Sequence, residues 1–112
     1  MQIVEKYLAA WNERDTGARR AAVEAAFDPA AAYKDPLMQG AGHEGLEAMI
    51  GAAQGLFPGH RFELSGAPAS HNDMLRFSWT LGAPGADPVA RGTDIAVLAA
   101  DGRLASVTGF LD

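Results

Sequence analysis

The stretch LRFSWTL, residues 75–81, alternates without a break: Leu75, Phe77, Trp79 and Leu81 are apolar, and Arg76, Ser78 and Thr80 between them are polar. Successive side chains of a strand point to opposite faces, so this is a strand with one apolar face. Upstream, Phe62 and Leu64 alternate with Arg61, Glu63 and Ser65 in the same way. Downstream, residues 82–88 are rich in glycine and proline and read as the hairpin loop into a long strand over about 89–99. Asp101-Gly102 then makes the tight turn into a last strand over 104–111. The C-terminal half is therefore a run of strands, most of them antiparallel.

The N-terminal half has a different period. Ile3, Val4, Tyr7, Leu8 and Trp11 recur at helical spacing from residue 2 to about 14, with Glu5, Lys6, Asn12 and Glu13 on the remainder. Asp15 and Thr16 can cap a second helix through Ala18, Ala22, Val23, Ala26 and Phe27, which Asp28-Pro29 is expected to end. Residues 31–35 form a short strand candidate closed by Pro36. A third helix is expected from about 44 to 57 through Leu46, Met49, Ile50 and Ala53, stopped by Pro58-Gly59. Helices followed by a mostly antiparallel sheet make an α+β fold, and a curved sheet wrapped over the helices encloses a pocket.

Composition bounds what such a fold can do. The 112 residues suit one domain spanning 1–112 with a modest core. With 48% apolar and 21% charged residues, and no long apolar run, the chain is expected to be globular, soluble and without a membrane partner. No basic flank or cleavage site marks an exported chain, so the expected location is cytoplasmic. A net charge of -5 with no basic cluster beyond Arg19-Arg20 argues against nucleic acid. Without cysteine there is no disulfide, thiolate nucleophile or sulfur-bound zinc. His43, His60 and His71 lie at loop or strand ends in no ligand spacing, so neither a metal nor another cofactor is expected. Gly40-Ala41-Gly42 reads as a turn rather than an anion site, since no lysine or hydroxyl follows as in a phosphate loop.

Three residues stand out as chemistry. Asp94 lies within Gly92-Thr93-Asp94-Ile95-Ala96-Val97-Leu98, and aspartate is depleted in strands because it competes for backbone groups. Alternation puts Tyr33 and Asp35 of Tyr33-Lys34-Asp35-Pro36 on one face and Lys34 on the other, though Asp-Pro also ends strands for purely structural reasons. Tyr7 shares a helix face with Ile3 and Trp11, as a core aromatic also does. Trp11, Tyr33, Met38, Met49, Phe57, Phe77, Trp79 and Leu81 are the candidates to line a pocket for a small hydrophobic ligand, the alternative being that they fill the core. If Asp94 faces a pocket, then Thr93, Ile95 and Val97, of opposite parity, fall on the outer sheet face, where a second subunit can cover them.

The element order, together with residues 3–15, Tyr33-Lys34-Asp35-Pro36, residues 42–50 and residues 92–110, resembles the nuclear transport factor 2-like superfamily, and within it the SnoaL-like and ketosteroid isomerase branch. The resemblance implies a cone-shaped α+β barrel of the cystatin-like kind, three helices packed on a curved, mostly antiparallel sheet. It also implies a homodimer through the outer sheet face. In ketosteroid isomerases the aspartate matching Asp35 is the base that moves a proton between carbons flanking an enol. The residues matching Tyr7 and Asp94 there donate hydrogen bonds to the oxyanion, the aspartate being protonated. In SnoaL-like polyketide cyclases a late-strand aspartate is instead the acid/base. Proton transfer on a hydrophobic carbonyl compound is thus the implied activity, with a cyclase, an epoxide-opening hydrolase or a non-catalytic binding module as alternatives. The isomerases carry a further tyrosine on the third helix where this chain has Ile50. The loop from Pro36 to Gly42 is shorter and the second helical segment longer than in the isomerases, so steroid specificity does not follow.

Overall fold

Helix α1, Gln2–Asn12, turns Val4, Tyr7, Leu8 and Trp11 inward at intervals of three and four, the spacing of one helix face. The computed structural model describes every residue, Met1–Asp112. Asp15 caps α2, Thr16–Ala26, by accepting the Ala18 N–H at 2.9 Å, one of the amides that a helix start leaves open. The helix stops one residue earlier than the sequence suggests. Phe27 has extended dihedrals (φ -114°, ψ 141°) and opens strand β1, Phe27–Lys34, which also contains Asp28-Pro29. Being wholly buried, Phe27 suits either period. Pro29, which has no N–H to give, falls where β1 loses register with its neighbour between Phe27 and Ala32.

Strand β2, Gln39–Ala41, comes next, so two residues of the expected Gly40-Ala41-Gly42 turn are paired with β1 instead. Helix α3, Gly42–Leu56, presses on this short strand: a Cβ at Gly40 would lie 3.2 Å from the Gly45 carbonyl oxygen and 3.3 Å from Met49 Sδ. Then follow β3, Arg61–His71, β4, Met74–Gly82, β5, Ala90–Leu98, and β6, Leu104–Leu111. The six strands form one sheet in the order β2-β1-β6-β5-β4-β3, with β1 and β6 parallel and all other neighbours antiparallel. No helix is long and apolar enough to cross a membrane.

Curvature comes from a bulge in β3 between Ser65 and Ala69, where Gly66 takes φ 75°. Such an insertion bends a strand and increases its twist, carrying the edge toward the helices. Asn12 at the end of α1 meets that edge: its amide donates to the Phe62 carbonyl at 2.8 Å and accepts the Phe62 N–H at 2.7 Å, as a neighbouring strand would. Asn12 thus fastens the helix layer to the sheet edge.

A buried polar knot ties the helices together. Arg19, 8% exposed, donates to Gln54 Oε1 at 2.6 Å and to Glu47 at 3.0 Å, and Gln54 in turn donates to the carbonyls of Trp11 and Glu13, both at 2.8 Å. Replacing Gln54 with alanine would strand a guanidinium hydrogen and two carbonyls that lie at the end of α1. We expect a loss of about 3 kcal/mol, since unpaired buried groups cost about 1–3 kcal/mol each and neighbours relax in part. A lowered urea midpoint with an unchanged slope is the expected readout; an unmoved midpoint would show that the knot carries no stability.

Candidate active site

Between the helices and the inner sheet face lies a cavity of about 100 Å³ lined by 15 residues, 13 of them hydrophobic. The other two are Asp35 and Asp94. On β5, Gly92, Asp94 and Ala96 face inward, while Thr93, Ile95 and Val97 lie half-buried on the outer face. Period two therefore carries Asp94 into the core at 1% exposure. There Tyr7, from the inner face of α1, donates its hydroxyl to Asp94 Oδ2 at 2.7 Å.

Asp35 arrives from the end of β1. Its Oδ2 accepts the Tyr33 hydroxyl at 2.5 Å, and its Oδ1 accepts the N–H groups of Leu37 and Met38 at 2.8 and 2.9 Å. The Asp35-Pro36 unit thus ends the strand in a turn and places the Asp35 carboxylate at the cavity wall.

Gly109 lets these groups approach one another. It pairs with Asp94 across β5 and β6. A Cβ at this position would lie 2.9 Å from Asp94 Oδ1, 3.1 Å from Asp35 Cβ and 3.2 Å from Tyr33 Oη. Three polar side chains therefore meet in the space of one missing methyl group.

Electrostatics sets Asp94 apart. Burial pushes its carboxyl up to about 6; the Tyr7 hydroxyl and the neighbouring Trp79 indole hold it back, and the negative charges of Asp35 and Asp112 raise it further. Burial likewise raises both tyrosines, helped by the carboxylates beside them, so each keeps its hydroxyl proton. Two buried polar atoms have no hydrogen-bond partner, Asp94 Oδ1 and Trp11 Nε1, and both residues line the cavity. Buried polar groups are almost always paired, so an acid oxygen and an indole N–H left open beside a cavity are groups that a water or a bound molecule can pair.

Of the expected lining residues, Trp11, Tyr33, Met38, Phe57, Trp79 and Leu81 do border the cavity, as do Tyr7, Asp35 and Asp94. Met49 and Phe77 do not, which corrects the sequence reading. Phe77 stands edge-on to Tyr7 at 5.1 Å in the core, and Met49 packs on Gly40. The Tyr7 hydroxyl proton is engaged by Asp94. Leu8, Leu37, Ala53, Phe62, Ala90 and Leu111 complete the wall. Phe62 had a sequence signal in its alternation with Arg61 and Glu63. Leu37, in the turn after Pro36, had none.

A curved six-stranded sheet with three helices on it and an apolar cavity between is the nuclear transport factor 2-like fold. The sequence matches the SnoaL-like domain over residues 4–107, and the chain belongs to that family. It is 50% identical to a SnoaL-like family protein of Agrobacterium tumefaciens that carries the provisional name of an isomerase. That match covers 99% of this chain and 95% of the other at a TM-score of 0.94. Two more distant structures share the fold. A protein of Sinorhizobium meliloti, provisionally named a polyketide cyclase, is 22% identical at a TM-score of 0.74, covering 97% of this chain and 94% of the other. An NTF2-like protein of unknown function from Exiguobacterium is 18% identical at 0.76, covering 98% of each chain. No curated protein matches the sequence significantly.

Proposed function

We propose that this chain catalyses proton transfer beside a carbonyl in a small hydrophobic compound, moving a carbon–carbon double bond into conjugation. The observation that carries this reading is the unpaired Asp94 Oδ1, held from its other oxygen by Tyr7 and set across Gly109 from a second carboxylate. Asp35 takes the proton from the carbon between the carbonyl and the alkene, and the C–H electron pair becomes a new C=C bond. Negative charge moves to the carbonyl oxygen, where a protonated Asp94 Oδ1 supplies a hydrogen bond. Asp35 then returns its proton to the far carbon and the carbonyl re-forms, so no proton or electron is gained or lost. Tyr7 acts through Asp94 as a positioning residue. The Trp11 N–H is a second free donor for the oxygen.

Size narrows the substrate. An apolar cavity of about 150 Å³ holds a benzene ring, so with about 100 Å³ inside, the part of a substrate that enters is no larger than one ring and the rest of a longer molecule lies at the open mouth. The high identity to a protein provisionally named an isomerase agrees with the reading.

The test is conversion of cyclohex-3-enone to its conjugated isomer, followed by ultraviolet absorbance. Asp35→Asn is expected to lower kcat/KM by about 10²–10⁴-fold, the usual worth of a positioned base. Because the donor must be protonated, kcat/KM of the wild type falls as pH rises through about 6. A rate rising through that pH would make Asp94 the base and sink the assigned role. Binding of the ketone by folded wild type without conversion would leave a non-catalytic binding module.

A further inference from the structure

The cavity's charge is lopsided. It holds two carboxylates and no lysine, arginine or histidine, and six of its lining residues are aromatic, including both tryptophans and both tyrosines. Only neutral groups answer the carboxylates: Asp35 has the Tyr33 hydroxyl and two backbone amides, and Asp94 has the Tyr7 hydroxyl on Oδ2 and the Trp79 indole nearby. The ionisable groups acting on Asp94 are Tyr7 from α1, Tyr33 and Asp35 from β1 and its end, and Asp112 beyond β6. All of them are neutral or acidic. Asp94 Oδ1 is buried and bare.

We propose that this cavity binds small organic cations, namely protonated primary amines on a single apolar ring or short chain. The ammonium sits against Asp94 and Asp35, and the body lies among Trp11, Phe62 and Trp79. An ammonium has three donors and no acceptor, which complements the open carboxylate oxygen. Its charge removes the repulsion between the two aspartates. The aromatic wall is continuous, with centroids 5.2 Å apart for both Trp11–Phe62 and Phe62–Trp79, and 5.4 Å for Trp11–Tyr33. Aromatic faces attract a cation most strongly where water is excluded. An anion meets the reverse, two like charges and no donor stronger than an indole. This ligand class does not depend on the isomerase reading. A bound ammonium keeps Asp94 ionised and so removes the proton donor that reaction needs, which makes an amine a competitive inhibitor wherever the reaction runs.

Calorimetric titration with benzylamine, benzyl alcohol and benzoate at pH 7.5 tests this. Benzylamine is expected to bind at least about tenfold tighter than benzyl alcohol, and benzoate more weakly than either. In Asp94→Asn the ratio of amine to alcohol affinity falls toward one. Asp35→Asn lowers it as well, and serves alone if the first variant does not fold. For the wild type, amine affinity at pH 5 is about tenfold weaker than at pH 7.5, because Asp94, with a pKa of about 6, must first release its proton. Alcohol binding as tight as the amine, or an amine preference that survives both substitutions, would overturn the proposal. Retained preference without ketone conversion would sink the isomerase reading alone.

Discussion

Asp94→Asn is expected to lower ketone turnover by about 10²–10³-fold, the usual cost of one oxyanion donor, while making the protein more stable above pH 6. The two effects share one cause. The folded state holds the Asp94 proton up to about 6, whereas the unfolded chain releases it near 3.8, the ordinary aspartate value. Stability from the neutral carboxyl is therefore fully present below about pH 4 and is lost as pH rises through about 6. The integrated loss is on the order of 3 kcal/mol. Asparagine has the same shape, still accepts the Tyr7 hydroxyl, and has no charge to desolvate. Urea melts at pH 5 and pH 8 should show the variant gaining on the wild type as pH rises. A variant less stable than the wild type at pH 8, or one with unimpaired turnover, would contradict the assignment.

Gly109→Ala should be nearly as damaging to activity for a purely steric reason. Its methyl would sit 2.9 Å from Asp94 Oδ1, closer than real Cβ contacts allow, and a tight 3.2 Å from Tyr33 Oη, so the groups must part. Misplacing catalytic groups by about 1 Å can cost 10²-fold, and overpacking a filled core costs about 1–3 kcal/mol. Turnover is expected to drop about 100-fold, with modest destabilisation. Gly45→Ala is the control: nothing lies within 4 Å of that Cβ, and it sits inside α3, where alanine is favoured by about 1 kcal/mol. Equal activity in the two variants would mean that the gap at Gly109 has no functional part.

Much of this was readable from periodicity, and the rest depended on depth. Alternation put Asp94 on the opposite face from Ile95 and Val97, helical spacing put Tyr7 on the face of Ile3 and Trp11, and the family resemblance supplied which of those faces turns inward. Parity cannot say how far along the cone a side chain sits. Phe77 and Trp79 share a face of β4, yet Phe77 packs in the core against Tyr7 while Trp79 reaches the cavity, its indole lying over Gly92, where a Cβ would come within 3 Å of it. Phe27 was misplaced because one buried aromatic fits a helix end and a strand start equally well. Strand β2 has three residues, two of them Gly40 and Ala41, too short and too small to show a period. Gly109 carried no hydrophobic signal at all. Its importance comes from facing Asp94 across the hairpin, which could be counted outward from the Asp101-Gly102 turn but for the register shift between Val97 and Leu98.

The central claim is that Asp94 is a buried acid whose proton is exchangeable at working pH. Carbon-13 NMR titration of its side-chain carboxyl, in wild type and in Asp35→Asn, tests this most directly. The account predicts a midpoint near 6 in the wild type and a lower one in the variant, where a neighbouring negative charge has gone. A midpoint in the ordinary carboxylate range, unmoved by the substitution, would contradict it.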